Sequence, residues 1–187
     1  MRYGAPVLTA LILVCACGSS SPVAVASPTP TPDPLSVARL EGVYDVTYTV
    51  TAMTGPGVEK VGDKTTRVWT ATPRCTSGPC DTDIKAVTPP STTVSDSLLT
   101  FAGGTYNLAP QSFIGGDCGS STTQDSFDNV ITFSVTTTAF AKVGKEVFAS
   151  ELTGNRHQVG TPRPRGISLG CKVGFTFDFS ARVVRRA

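Results

Sequence analysis

The chain has 187 residues, a formal net charge of +2 and only 16% charged residues. No strong field is present to recruit nucleic acid or anionic lipid. Its length beyond the first 34 residues is one domain's worth, enough to bury about 68–70% of the unfolded surface in a core of its own.

Arg2 is the sole charge ahead of an apolar run from Val7 to Val14, and small residues follow it. That is the layout of an export signal. The run is too short for a membrane-spanning helix, which needs about 20 apolar residues. Val14-Cys15-Ala16-Cys17 resembles the lipobox of bacterial lipoproteins: an aliphatic residue, a tolerant position, a small residue, then the cysteine that receives lipid. The resemblance implies a signal over residues 1–16, a lipidated Cys17 carrying acyl chains such as palmitate, and a protein held on the extracytoplasmic face of the cell membrane. Several acyl chains anchor firmly where one binds only marginally. A plain secretory signal cut near Ala26 is the alternative. Residues 17–34 continue as GSSSPVAVASPTPTPDP after the cysteine, a Ser, Pro and Thr tract that buries no apolar area and reads as an extended linker open to O-glycosylation.

The domain is expected over residues 35–187. LSVARLEG reads as a short helical turn, and period-two patterning takes over after it. Tyr44, Val46, Tyr48 and Val50 share one face of the first strand, with Asp45, Thr47 and Thr49 on the other. TTRVWTATP, DIKAVT, SLLTFAG, GTYNLA, NVITFSVTTT and EVFASELTG follow as strands between Gly, Pro, Asn and Asp turns. The last, CKVGFTFDFSARVV, alternates Val173, Phe175, Phe177, Phe179, Ala181 and Val183 with polar residues. About eight antiparallel strands with short links specify an all-β, up-and-down barrel. A two-layer β-sandwich is the alternative, although its immunoglobulin form would place tryptophan between two cysteines, and Trp69 precedes every cysteine of the domain.

Of six cysteines, Cys75, Cys80, Cys118 and Cys171 remain in the exported part, an even count that reads as disulfides. Cys75 and Cys80 bracket the turn TSGP and are paired locally, which leaves Cys118 for Cys171. A zinc site would need a second short knuckle, so no metal centre and no cofactor are expected.

Gly42 and Tyr44 after the helical turn, with Arg182 in the closing strand, loosely resemble the calycin (lipocalin-like) plan, which opens on Gly-x-Trp and packs a late arginine over that aromatic ring. The segment RVWTATPRCTSGPCD, through the spacing of Trp69, Pro73, Cys75, Gly78 and Cys80, resembles a block of secreted and lipid-anchored actinobacterial proteins. That second resemblance implies a family, not an activity.

Gly166-Ile167-Ser168-Leu169-Gly170 spells G-x-S-x-G. The nucleophile elbow of hydrolases needs a helix after the serine and a later histidine. Here a strand follows and the single His157 comes earlier, so the glycines read as turn formers and no catalytic residue is assigned. NRHQVGTPRPRG reads as a loop whose Arg156, His157, Arg163 and Arg165 form an anion-binding lip or a solvated connection. The expected function is a non-catalytic envelope lipoprotein that binds a small apolar or amphipathic ligand in or at the mouth of the barrel. Candidate contacts are Tyr44, Tyr48, Trp69, Phe133, Phe175, Phe177, Arg156 and Arg163. The alternative is a structural or interaction protein of the envelope whose barrel is fully packed. The expected partners are therefore the membrane, through Cys17, and a small hydrophobic ligand or an envelope protein, with no nucleic acid.

Overall fold

The computed structural model describes residues 32–55, 59–116 and 125–186. The signal, Cys17, the linker up to Thr31 and Cys118 lie outside the described residues. Helix α1 (Pro34–Val37) precedes strands β1 (Gly42–Thr54), β2 (Lys64–Pro73), β3 (Thr82–Val87), β4 (Val94–Ala102), β5 (Thr105–Gly115), β6 (Phe127–Val143) and β7 (Glu146–Pro162). Helix α2 (Pro164–Ser168) and strand β8 (Phe175–Arg185) complete the order. Each strand pairs antiparallel with the next, and β8 returns to β1, so the sheet closes as an eight-stranded up-and-down barrel. Closure leaves no sheet edge for another chain to pair with. Among the described residues no helix is long and apolar enough to cross a membrane.

Alternation drives the closure. Tyr44, Val46, Tyr48 and Val50 of β1 point inward, and so do Phe175, Phe177, Phe179, Ala181 and Val183 of β8. The β5 register slips between Leu108 and Gln111, around Pro110, whose missing N–H cannot serve a regular ladder. Elements differ from the sequence reading in several places: β5 and β6 run on to Gly115 and Val143, past the expected GTYNLA and NVITFSVTTT, and three further differences bear on the site. Strand β7 continues through Asn155–Pro162, which was expected as loop, because Arg156 and Gln158 take inward positions normally held by apolar residues. A second one-turn helix, α2, forms where only glycine turns were expected, with Pro164 in its first turn. Strand β8 begins at Phe175 rather than Cys171, leaving Val173 exposed.

One barrel end is plugged by the segment between α1 and β1. The Asp33 side chain caps α1 by accepting from Leu35 N at 3.0 Å. Arg39 then bridges to β7, its N–H donating to Val147 O (2.9 Å) while its carbonyl accepts from Ala149 N (2.8 Å). The Tyr44 hydroxyl donates to Ala149 O at 2.8 Å, and the Tyr106 hydroxyl accepts from Leu40 N at 3.1 Å. Tyrosine rather than tryptophan thus suits position 44, where a hydroxyl meets backbone groups.

The late-arginine contact of the calycin plan is not made by Arg182, which faces outward and donates to Glu151 Oε1 at 2.7 Å. Arg185 takes an analogous place with a different ring. Its guanidinium lies 4.6 Å from the Phe148 centroid, and its Nε donates to Glu41 O at 3.2 Å. Gly42 has φ +109°, and a Cβ there would meet the Arg185 guanidinium at 3.2 Å, so both backbone and space call for glycine. Cys75 and Cys80 form the local disulfide. Cys171 is disulfide-bonded as well, and its expected partner Cys118 lies outside the described residues.

Candidate functional site

At the end opposite the plug the barrel wall is uneven. Strand β3 stops at Val87 and β4 starts at Val94, whereas β6 and β7 run 17 residues each. A cleft of about 70 Å³ opens over the low side. Its floor is apolar, built from Trp69, Ile84, Leu99 and Phe133, and its upper wall is polar, with Arg67, Ser97, Gln111 and Arg156. The volume matches about two waters at roughly 30 Å³ each, well short of the roughly 300 Å³ at which a cavity holds a drug-sized ligand. Below this cleft the interior is occupied by the contiguous apolar core that runs from Tyr48 and Trp69 to Leu40 and Leu152.

Aromatic packing does the filling. Trp69 meets Phe133 edge-on with centroids 5.4 Å apart, and Tyr48 meets the same ring at 6.0 Å. On the β8 side Phe127, Phe175, Phe177 and Phe179 follow one another with centroids 5.0, 5.0 and 6.1 Å apart, the first pair edge-on and the next two tilted. A Cβ on Gly160 would sit 2.3 Å from the Phe175 ring, so glycine is what lets that ring approach β7.

Two guanidiniums stand above the floor. Arg67 lies 5.9 Å and Arg156 5.4 Å from the Tyr48 centroid, and Arg156 also lies 4.7 Å from Phe179, the placement favoured between a cation and a ring face. Arg156 is held by a relay. Its Nη2 donates to Gln158 Oε1 (2.6 Å), Gln158 Nε2 donates to Asn129 Oδ1 (3.1 Å), and Asn129 Nδ2 donates to Gly115 O (3.2 Å). Arg67 Nε is buried without a hydrogen-bond partner. Burial lowers the Arg156 pKa; Tyr48 opposes that shift and the like charge of Arg67 adds to it. Burial also pushes the Tyr48 phenol up to about 12.

The candidate residues separate into groups. Tyr48, Trp69, Phe133 and Arg156 meet at the cleft. Tyr44 belongs to the plugged end, where its pKa is raised to about 12, chiefly by burial. Phe175 and Phe177 are core residues beside the cleft rather than in its wall. The expected arginine lip is dispersed. Arg163 faces Asp128 (3.3 Å), Arg165 faces Asp125 (3.2 Å), and His157 points outward to Asp178 (2.6 Å). Ser168 Oγ donates to Arg165 O at 2.7 Å. Arg67 was missed, although its phase was readable: Arg67, Trp69 and Ala71 share one face of β2.

A larger concavity, about 660 Å³, lies on the outer face of the sheet, bordered by Thr47, Thr49, Thr153, Asn155 and Ser180. It is an open trough with no aromatic residue in its lining, and its Arg182 is already matched by Glu151. The small cleft is therefore the better-built site despite its size. Among the described residues no group of His, Cys, Asp and Glu is arranged to hold a metal ion.

No family model matches the chain, and no curated protein matches it. Among solved structures it is similar to the monomer form of the M. tuberculosis PknI sensor domain, at 13% identity and a TM-score of 0.45, over 79% of this chain and 88% of that one.

Proposed function

We propose that the chain is a lipid-anchored, extracytoplasmic binding protein without catalytic activity. Cys17 carries the lipid, residues 17–34 form the spacer, and a small amphipathic ligand engages the barrel mouth. The observation that carries the binding role is the cleft itself, where a guanidinium pair stands over an aromatic floor while the interior beneath is filled. A ligand therefore docks at the rim instead of being enclosed. The non-catalytic reading draws support from the serine and histidine, which make polar contacts to other groups: Ser168 to Arg165 O, His157 to Asp178. The Cys75–Cys80 disulfide agrees with an oxidising compartment.

Two experiments test the two halves. A Cys17→Ser variant is expected to lose palmitate labelling and to leave the membrane fraction; retention of both would contradict the anchor. Native mass spectrometry of the purified protein is expected to show an exchangeable small molecule, and its absence favours the second reading. In that reading the barrel serves as an interaction protein, for which the filled interior and the outer trough speak. Recovery of an envelope protein with the detergent-solubilised bait would support it.

A further inference from the structure

Taking the mouth as the ligand site, we infer that Arg67 and Arg156 form an anion subsite there, which receives the carboxylate of an amphipathic monoacid. The contrast with the other arginines carries the argument. Arg39, Arg74, Arg163, Arg165, Arg182 and Arg186 each face a carboxylate within 4.0 Å. Arg185 instead serves a backbone carbonyl at the plugged end. Two guanidiniums also converge on Phe148, Arg39 at 5.5 Å and Arg185 at 4.6 Å, but there Arg39 is paired with Glu41; around the Tyr48 ring two converge and, among the described residues, neither is ion-paired. Asp96 borders the cleft and Glu59 acts on Arg156 at longer range, yet neither pairs with it.

Holding two like charges in a partly buried site is unfavourable unless an anion joins them. The buried, unbonded Nε of Arg67 supplies a donor with no other use. The Gln158–Asn129 relay fixes Arg156 beforehand, so little ordering remains to be done on binding. The planar fork of arginine matches a carboxylate, which it holds by two parallel bonds. A cleft of about 70 Å³ admits that head group and the first carbons of its chain, which then rest on Trp69 and Phe133. Asp96 in the cleft wall, and Glu59 at longer range, repel a second negative charge, which favours a monoanion over a dianion.

Trp69 is the chain's single tryptophan and lines the cleft, so its fluorescence reports occupancy. Butyrate, butyramide and inorganic phosphate are titrated into the protein at constant ionic strength. Butyrate is expected to give a saturable change, with the neutral amide at least about 10-fold weaker and phosphate weaker than butyrate. Arg67→Gln and Arg156→Gln are each expected to weaken butyrate binding by about 10-fold or more, the worth of a charge-assisted hydrogen bond. Equal binding of butyrate and butyramide overturns the anion subsite while leaving the mouth as the ligand site. Tighter binding of phosphate overturns the carboxylate assignment. No saturable change with any of the three overturns both the subsite and the mouth. The butyrate and butyramide comparison uses the unmodified protein, so it decides even if a variant fails to fold.

Discussion

Raising the pH from 10 to 12 is expected to remove about 4 of the roughly 5 kcal/mol of stability that two buried phenols of the barrel contribute. Tyr44 and Tyr48 are both buried, and burial raises each phenol from its ordinary 10.0 to about 12. The unfolded chain releases these protons near pH 10, while the folded chain keeps them until about pH 12. Between those values the native state binds more protons than the unfolded state, so stability falls as pH rises. Below pH 10 the contribution is fully present. Each shift of about two units corresponds to about 2.7 kcal/mol at 1.36 kcal/mol per unit. Urea midpoints measured between pH 9 and pH 12 should show the decline, to which Tyr106, also raised by burial, adds; Tyr48→Phe should abolish about half of the part owed to Tyr44 and Tyr48. A midpoint that does not move across that range would contradict the burial of both phenols.

Trp69→Ala is expected to cost about 3–5 kcal/mol, the range for truncating a large buried aromatic. Trp69 is buried, packs edge-on against Phe133, and sits between Tyr44 on β1 and Ala86 on β3 in the ladder. Its neighbours are themselves fixed by strand pairing, so the space left by the indole cannot collapse fully. The cleft above it should deepen toward ligand size. Trp69→Phe keeps most of the ring and should cost less. Chemical denaturation measures both, and a loss below about 1 kcal/mol for the alanine variant would mean that Trp69 is not the floor of the cleft.

The barrel was legible because its strands repeat one simple rule. Five inward positions of β8, from Phe175 to Val183, alternate with outward ones, and a strand of this kind has one wet face and one dry. The rule failed where polar side chains occupy the dry phase. Arg156, Gln158 and Gly160 continue the alternation of β7, but nothing apolar marks them, so hydrophobic periodicity stopped at Gly154. Arg67 was hidden by the same cause. Arg156 and Arg163 look alike in sequence, yet one lies over Tyr48 and the other faces Asp128. That difference is set by strand phase and by the partner across the ladder. The cleft as a whole was out of reach for a further reason. Tyr48, Arg67, Ser97, Gln111 and Arg156 come from β1, β2, β4, β5 and β7, and only closure of the sheet brings them to one rim.

A filled barrel that meets its ligand only at the rim is tested most directly by mapping backbone amide shifts by NMR while butyrate is added to saturation. Shifts are expected at Tyr48, Arg67, Trp69, Gln111 and Arg156, with Tyr44, Tyr106 and Leu152 at the plugged end unmoved. Saturable shifts at those plugged-end residues, or none at the rim, would contradict it.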